Sequence, residues 1–458
     1  MKTHDALVAK ATALFQQGKS ALAAAVCKKI LQTRPENYQA NIMLGAITLH
    51  SAPEEAIPSL EQASLSATTP ALKAQALSNL SLAFGLLSRH EEALNAINQA
   101  VDCAPQHPLF LCNRANTLEQ LRKWSLMEQD LQKALQIDPS LQDARLSLAV
   151  SLRHQTRWPE ALAQLDQIDR NDWAVCAEKA IVLWLNGEPN AALKQADTLP
   201  LASLSSAADY AAEQGVTELA IALFTDYVAQ CPSDTSSQFQ LNALQGTAIE
   251  QPPADYIESV FDSCADKFES HLVNTLSYSA HQHVASLTTQ FLSLPPVELL
   301  DLGCGTGLVG KELRKALPTC ALAGVDLSAN MLTLAAEQSI YNRLIQSDID
   351  SLLNDTPPFS GITAADTVIY FGALGPLFAG ISRSLLAKGI FVFNTEKLSE
   401  EAAKSWQLTP SGRYQHHTAY IKNLAAKHDM QLQFNEDRII RHENDQAVVG
   451  TIFVLQKQ

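Results

Sequence analysis

The chain has 458 residues, of which 47% are hydrophobic and 18% charged, and its formal net charge is −15. This length exceeds what one hydrophobic core normally supports, so we expect two or three domains. The acidic balance argues against a surface that coats nucleic acid, because phosphate contacts need clustered lysine and arginine.

Cysteine spacing and the apolar runs limit the class of protein further. No two of the eight cysteines form a C-x-x-C pair, so the ligand spacing of a zinc site is absent. The N-terminal stretch carries Asp5 and Lys10 among its apolar residues, which is typical of an amphipathic helix and not of a signal peptide. No uncharged apolar run reaches ~18 residues. We therefore expect a cytoplasmic protein without a metal or a membrane span, and the sequence does not indicate its oligomeric state.

The first half of the chain is periodic. Pro35, Pro70, Pro105 and Pro139 follow one another at steps of 35, 35 and 34 residues. A pair of helix-like segments precedes each proline, and small residues recur at fixed places in the pair. In the first segment they are Ala11, Gly45, Ser81, Ala115, Ala149, Ala180 and Ala208, and in the second Ala23, Ala56, Ala93, Met127, Ala161, Ala192 and Ala220. Small side chains let two helices approach closely, so the pattern predicts stacked helix pairs.

This half resembles tetratricopeptide repeats, most clearly in HEEALNAINQAVDCAP (90–105) and RWPEALAQLDQID (157–169). About seven repeats are expected over roughly residues 3–235. Met127 replaces the expected alanine, and the fifth repeat lacks its proline. The resemblance implies that the repeats bind a protein or peptide; the alternative is a scaffold for dimerisation or for packing against the other domain.

The stretch 233–254 mixes polar residues with a Pro-Pro pair. We place the domain boundary there, which gives a helical solenoid over 1–235, a linker over 236–252 and a second domain over 253–458.

A glycine-rich segment opens the second domain's most informative region. In VELLDLGCGTGLVGKELRKAL (297–317), a buried strand is followed by Gly303, Gly305 and Gly307 and then by an amphipathic helix. Glycines let the backbone touch a ligand, and a helix N-terminus offers free N–H groups. A second strand in ALAGVDLS (321–328) ends in Asp326, which is placed to reach ribose hydroxyls, and RLIQSDID (343–350) supplies Asp348.

Residues 297–350 resemble the first three motifs of class I S-adenosylmethionine-dependent methyltransferases, and the G-x-G-x-G spacing favours this over a nicotinamide site. The resemblance implies a Rossmann-like α/β domain with S-adenosylmethionine as cofactor. It implies that the glycines line the methionine part, that Asp326 holds the ribose, and that Asp348 with Ile349 contacts adenine. Met331 is placed to pack on the adenine, and Asp301 to order the loop.

A narrower resemblance links 252–458 to a bacterial family that joins tetratricopeptide repeats to a methyltransferase. It is carried by FDSCADKFESHLVNTLSYSA (261–280), AADTVIYFGAL (364–374) and LTPSGRYQHHTAYI (408–421). Three residues depart from the family pattern. Cys264 replaces a tyrosine, Ala373 an acidic residue, and Lys388 the first glycine of a turn.

Candidates for acceptor chemistry follow the fourth and fifth strands, because ligands of open α/β sheets bind outside the carboxyl ends. Asp366 and Tyr370 come at or after the fourth strand, and His416 is a candidate base. Arg413 is suited to clamp a substrate carboxylate, with Tyr414 beside it. The alternative is that Arg413 and His416 pair with acidic residues and fix a loop. Nearer the C-terminus, Asp437, Arg438 and Arg441 are interpreted as a solvated charge run.

Three functions remain open from the sequence. The first is a methyltransferase whose repeats recruit a protein or peptide. The second is a small-molecule methyltransferase with repeats used for assembly, and the third is an adaptor whose methyltransferase domain is inactive. Nucleic acid is the least favoured substrate, because the second half shows no basic cluster.

Overall fold

The computed structural model describes residues 2–169, 172–247, 249–270, 278–293, 298–402, 404–443 and 446–458, with the side chains of 2–5 and 263–270 left aside. The chain divides into two compact units, Met1–Leu219 and Ala220–Gln458. Across the described residues, no helix is both long enough and apolar enough to cross a bilayer.

The first unit is built from consecutive helices that pack in pairs. The pairs are α1 (Lys2–Gln16) with α2 (Ser20–Leu31), α3 (Tyr38–Thr48) with α4 (Pro53–Ser66), α5 (Pro70–Leu86) with α6 (His90–Cys103), α7 (Pro108–Gln120) with α8 (Trp124–Ile137), α9 (Gln142–His154) with α10 (Trp158–Leu165), and α11 (Trp173–Leu185) with α12 (Pro189–Ala196). Then α13 (Leu201–Glu213) leads into α14 (Thr217–Gln230), which crosses the boundary between the units. The six packed pairs and α13 confirm the expected solenoid of helical repeats.

The small residues of the repeat pattern lie where the helices of a pair meet. All seven positions of the first set and all seven of the second are buried, including Met127 at 0% exposure. Methionine fits among the alanines because its unbranched side chain adapts to an irregular gap. The later pairs are shorter, since α10 and α12 have only eight residues each.

The second unit is an α/β domain around one mixed sheet. Its strands are β1 (Leu299–Leu302), β2 (Leu322–Asp326), β3 (Arg343–Gln346), β4 (Phe359–Ala364), β5 (Leu385–Lys397), β6 (Trp406–Leu408), β7 (Tyr414–His416), β8 (Met430–Glu443) and β9 (Gln446–Lys457). Its helices are α15 (Thr235–Gln245), α16 (Ala254–Ser270), α17 (Ala280–Phe291), α18 (Leu308–Ala316), α19 (Ala329–Glu337), α20 (Ile349–Asn354), α21 (Gly375–Arg383) and α22 (Thr418–Lys427). A short 3-10 helix covers Val368–Tyr370.

The strand order β3-β2-β1-β4-β5 is parallel throughout, with β5 pairing antiparallel to β9 along one part of its length and parallel to β7 at its end. Parallel strands are covered on both faces, which is why β1 and β4 are buried along their whole length. β8 and β9 form an antiparallel hairpin that joins the sheet at β5. This is the doubly wound arrangement expected from the sequence, and it brings the ends of β1, β2 and β4 to one edge.

Residues 235–245, most of which fall in the expected linker over 236–252, form α15. Asp234 caps α15 by accepting a hydrogen bond from the Ser237 amide at 3.0 Å, and Phe239 and Ala243 pack in a cluster with Leu408. The polar composition that suggested a linker belongs to the exposed face of this helix. The boundary between the compact units lies earlier, at 219/220.

Candidate active site

A cavity of about 800 Å³ lies in the second unit at the carboxyl ends of β1, β2 and β4. Its lining includes residues from the glycine loop, from the ends of β2 and β3, from the turn after β4, and from α16. Such a volume is that of a typical small-molecule site. Most of the lining is apolar, and the polar groups gather at its two ends.

The glycine loop after β1 forms one end of the cavity. Gly303 has a φ of 63°, and a Cβ at this position would lie 2.5 Å from the Thr367 hydroxyl, so only glycine fits. The amide of Gly305 donates a hydrogen bond of 2.9 Å to Asp326. Thr306 is 4% exposed and lines the cavity, and its hydroxyl has no partner among the described residues. A buried hydroxyl without a partner is costly, so it is a candidate ligand group.

Asp326 at the end of β2 is held by backbone amides. Its Oδ1 accepts from the Ser328 amide at 2.9 Å, and its Oδ2 accepts from Gly305. Burial raises the pKa of this carboxyl group, while the backbone hydrogen bonds act in the opposite direction. Each carboxylate oxygen has a further lone pair, so Asp326 can still accept hydrogen bonds from the hydroxyl groups of a ligand.

The end of β3 supplies the next part of the wall. Asp348 caps α20 by accepting a hydrogen bond of 2.8 Å from the Ser351 amide, and that bond lowers its pKa. Both Asp348 and Ile349 line the cavity. They bring a carboxylate and an apolar surface to the same place, which suits the amino group and the face of an adenine ring.

Three predicted cofactor residues do not line the cavity. Met331 is 0% exposed and packs inside the domain, so the apolar wall is formed by Leu327 and Ile349 instead. Gly307 caps α18 with a φ of 98° and shapes the loop. Asp301 lies beneath the loop.

Asp301 is bound by two hydroxyl groups. Tyr341 donates to it at 2.6 Å and Thr363 at 2.9 Å. Burial raises the pKa of Asp301 to about 6, although both hydrogen bonds lower it. The predicted role of Asp301 in ordering the loop is compatible with this position, but sequence reasoning missed Tyr341, which comes forty residues later and carries no motif.

The turn after β4 forms the other end of the cavity. Asp366 has a φ of 51°, which is unusual for a residue other than glycine. Asn394 holds it there, donating to Asp366 Oδ1 at 2.6 Å and accepting from its amide at 2.8 Å. Asp366, Tyr370 and Arg413, which the sequence analysis proposed, all line this end.

Arg441 completes this end and was not expected there. Its side chain is 2% exposed, and it pairs with Asp366 at 3.0 Å, with Glu443 at 2.7 Å and with Glu396. Arg413 also pairs with Glu443 and bonds to the Tyr370 hydroxyl. The solvated charge run predicted at this position is therefore wrong for Arg441.

A register shift in β8 explains the burial of Arg441. The pairing of β8 with β9 shifts between Ile439 and Arg441, and Ile440 and Arg441 are both buried although they are neighbours in a strand. Regular alternation would place one of them in solvent. The bulge turns Arg441 toward the cavity, which is a known use of bulges next to binding sites.

Aromatic rings cover the polar groups at this end. Tyr278 and Tyr370 line the cavity with Phe261, whose ring meets that of Tyr370 edge to face at a centroid distance of 5.4 Å. Burial raises the pKa of both tyrosines, so their hydroxyl groups are neutral at physiological pH. Phe261 and Tyr278 come from the segment that carried the narrower family resemblance, which is the signal that could have identified them.

His416 and Tyr414 are not part of the cavity wall. His416 is 1% exposed, its Nε2 lies 3.2 Å from the Gly372 carbonyl oxygen, and burial lowers its pKa to about 4. Tyr414 is 0% exposed and packs against Trp406 and Leu408. Both side chains support the loop around Gly372 from the side away from the cavity. Their predicted roles as base and substrate ligand are therefore not supported.

The family departures have different consequences. Cys264 and part of its motif lie outside the residues whose side chains are described. The Ala373 amide donates a hydrogen bond of 3.2 Å to the Glu250 carbonyl oxygen. This contact is made by the backbone, so it does not depend on the side chain at position 373. Lys388 adopts a φ of 63°, a conformation that favours the glycine it replaces.

Comparisons with known proteins agree with the two units. Residues 299–389 match the family model of a methyltransferase domain, and residues 50–108 that of a tetratricopeptide repeat. A malonyl-[acyl-carrier protein] O-methyltransferase of Legionella pneumophila is 29% identical over 144 residues, which are 31% of this chain and 49% of that protein. Human methyltransferase-like protein 27 is 39% identical over 104 residues, 22% of this chain and 40% of that protein. The chain thus spans about half the length of these relatives or less.

A solved tetratricopeptide repeat protein from Parabacteroides merdae is 20% identical and aligns with 54% of this chain and all of that one at a TM-score of 0.41. The two family models give the chain a tetratricopeptide-repeat region and a methyltransferase domain.

Proposed function

We propose that the protein transfers a methyl group from S-adenosylmethionine to an acceptor bound beside Asp366 and Tyr370. We also propose that the repeats bind the protein or peptide that carries this acceptor. One observation carries the first proposal. The glycine loop, Asp326 and Asp348 line the same cavity as the polar residues Asp366 and Tyr370.

The residues at the loop end fit the cofactor. The Thr306 hydroxyl is buried without a partner among the described residues and belongs to the glycine loop at the start of α18, so this loop can bind the charged methionine end. Asp326 can accept hydrogen bonds from the ribose hydroxyls. Asp348 can accept a hydrogen bond from the adenine amino group, and Ile349 can pack on the adenine ring. S-adenosylmethionine, when bound, supplies a methyl group activated by the sulfonium charge.

Methyl transfer places few demands on the surrounding side chains. The transfer is an in-line displacement, so holding the acceptor atom in line with the methyl group provides most of the acceleration. Asp366 and Tyr370 are well suited to this task, because Asn394 and Arg413 fix them in place. The apolar lining excludes water from the reacting atoms.

Exposed apolar side chains support a binding role for the repeats. Ten of the thirteen large hydrophobic residues that are exposed in the described structure belong to the first unit. Leu82 and Leu86 share one face of α5, being four residues apart, and each is 40% exposed. The relative from Legionella is named for an acceptor carried on a protein, which is compatible with recruitment of a protein substrate.

Calorimetric titration of S-adenosylmethionine and S-adenosylhomocysteine tests the cofactor site. We expect micromolar affinity for the wild type and a loss of at least ~10-fold in Asp326→Ala, because hydrogen bonds to a charged group contribute about 1.5–3 kcal/mol. Asp355→Ala, an exposed residue outside the cavity wall, is the control and should bind normally. Absence of binding by the wild type would refute the enzyme and favour an adaptor.

Labelled methyl transfer in a cell extract tests recruitment. The double variant Leu82→Ser/Leu86→Ser should lose labelling of its protein target while keeping normal affinity for S-adenosylhomocysteine. The matched control is Leu22→Ser/Leu65→Ser, which changes two exposed leucines on second helices of the repeats. Equal labelling by both double variants would show that this face of α5 does not recruit the substrate.

A further inference from the structure

The polar end beside Asp366 has more carboxylate than guanidinium groups. Two arginines and three carboxylates share it: Arg413, Arg441, Asp366, Glu396 and Glu443. At their formal charges these described residues leave one negative charge. Arg441 pairs with all three carboxylates, and Arg413 pairs with Glu443 and lies 4.0 Å from Glu396, so both guanidinium groups already face carboxylates of the protein.

This balance disfavours a carboxylate acceptor at this end. An added anion would be the fourth carboxylate around two arginines, and like charges at such short range repel one another.

The aromatic rings select for the opposite charge. Tyr278, Tyr370 and Phe261 line the same end as Asp366. Ring faces attract ammonium groups, and rings combined with a carboxylate are the usual surroundings of a bound amine. The remaining wall, with Ile257, is apolar and suits an aliphatic stem.

We propose that the methyl acceptor is an amine at the end of an aliphatic stem, bound through Asp366 and the three rings. This inference rests on the proposed function. Asp366 accepts a hydrogen bond from the amine and orients it. The acceptor enters as an ammonium ion and loses one proton to solvent.

The nitrogen lone pair then forms a bond to the methyl carbon while the carbon–sulfur bond breaks. The electron pair of that bond stays on sulfur, which becomes a neutral thioether, and the nitrogen takes over the positive charge. Loss of a second proton gives the neutral methylated amine.

Three six-carbon probes test this inference on the full chain saturated with S-adenosylhomocysteine. Hexylamine, hexanol and hexanoate share one stem and differ only in the head group. We expect hexylamine to bind at least ~10-fold more tightly than hexanoate. The ammonium group of hexylamine gains a charged hydrogen bond, whereas the carboxylate of hexanoate is repelled by the carboxylates of the protein. Equal or tighter binding of hexanoate or hexanol, or no binding of hexylamine, overturns the inference.

Asp366→Asn tests whether this residue is responsible. We expect this variant to lose most of its preference for hexylamine while its affinity for S-adenosylhomocysteine stays within a few-fold of the wild type, which also shows that it is folded. Asp355→Asn makes the same charge change at an exposed site and should keep the preference. An unchanged preference in Asp366→Asn overturns the assignment.

The source of the amine is distinguished by methyl transfer to two peptides. One is blocked at its N-terminus and carries one lysine, and the other has a free N-terminus and no lysine. Methylation of the lysine peptide indicates that the acceptor is a lysine side chain, and methylation of the peptide with a free N-terminus indicates an α-amine. Transfer to hexylamine alone indicates that the acceptor is a small molecule. If S-adenosylhomocysteine itself does not bind, the proposed function is refuted. If S-adenosylhomocysteine binds but the protein then prefers hexanoate to hexylamine, only this inference is refuted.

Discussion

The side chain of Tyr341 packs beneath the glycine loop, and its hydroxyl group makes the contacts. The hydroxyl bonds to Asp301, and a Cβ on Gly310 would lie 2.5 Å from the same oxygen, so the helix after the loop packs directly on this side chain. A group packed this closely transmits any displacement to its neighbours. The position of the loop therefore depends on one phenol group.

Tyr341→Phe is expected to weaken S-adenosylhomocysteine binding by ~5-fold and to lower the free energy of unfolding by about 1–2 kcal/mol. The variant removes one donor from a buried carboxyl group and leaves the ring in place. Calorimetry and urea unfolding measure the two effects. Tyr227→Phe, which also removes a hydroxyl bonded to an aspartate, Asp234, is the control for binding. Equal affinity in Tyr341→Phe and wild type would mean that packing of the ring alone holds the loop.

Asp301 makes stability depend on pH. Its pKa is raised by burial to about 6, so the folded state holds a proton that the unfolded chain releases earlier. The stabilisation from this group is complete below about pH 4 and is lost as the pH rises through about 6. Its contribution to the free energy of unfolding should fall over that interval by ~1–3 kcal/mol. The difference in unfolding free energy between wild type and Asp301→Asn, measured from pH 4 to 7, should show this slope. A difference that is flat with pH would contradict it.

Sequence reasoning found the residues of the site whose roles are local. Gly303, Gly305, Asp326 and Asp348 follow strand ends within one segment, so spacing alone placed them at the cavity. Arg441 was missed because its burial depends on a strand bulge and on partners at distant positions of the chain. His416 was predicted as a base in a cluster with Arg413, but its ring is buried with Nε2 3.2 Å from the Gly372 carbonyl oxygen and does not line the cavity.

Helix pairs in the first unit depend on small residues at fixed positions. Ala161 in α10 is 0% exposed, whereas Ala163, two residues later in the same helix, is exposed. Alternation of this kind follows from helix geometry, because only one stripe of α10 faces its partner.

Ala161→Leu is expected to lower the free energy of unfolding of the first unit by ~1–3 kcal/mol, since added methylenes must displace well-packed neighbours. Ala163→Leu, which makes the same change on the exposed face, should alter it by less than ~0.5 kcal/mol. Chemical unfolding followed by circular dichroism measures both. Similar stabilities for the two variants would mean that α10 does not pack as the repeats require.

At the scale of elements, the helices were easier to predict than the boundary. The small residues marked the six packed pairs because each repeat restates the same packing constraint. The end of the solenoid has no such repetition. Polar residues around α15 suggested a linker, and the burial of Phe239 on that helix depends on contacts with Leu408, far along the chain.

The whole molecule divides into two compact units, each with its own buried hydrophobic clusters. A ligand that binds only the folded second unit should stabilise that unit alone. At a concentration of ~100 Kd, S-adenosylhomocysteine should add about 2.7 kcal/mol to its stability. Calorimetry should then show two transitions, of which one shifts with the ligand and the other with Ala161→Leu.

Tryptophan fluorescence can separate the two transitions. Four of the five tryptophans lie in the first unit, and the fifth is Trp406. In Trp406→Phe the fluorescence change on heating reports the first unit only, so its midpoint should not respond to S-adenosylhomocysteine, while the calorimetric transition of the second unit does. A ligand-dependent midpoint in this variant would mean that the two cores unfold as one cooperative system. The first unit would then stabilise the second, and substitutions such as Ala161→Leu would lower methyl transfer through stability alone.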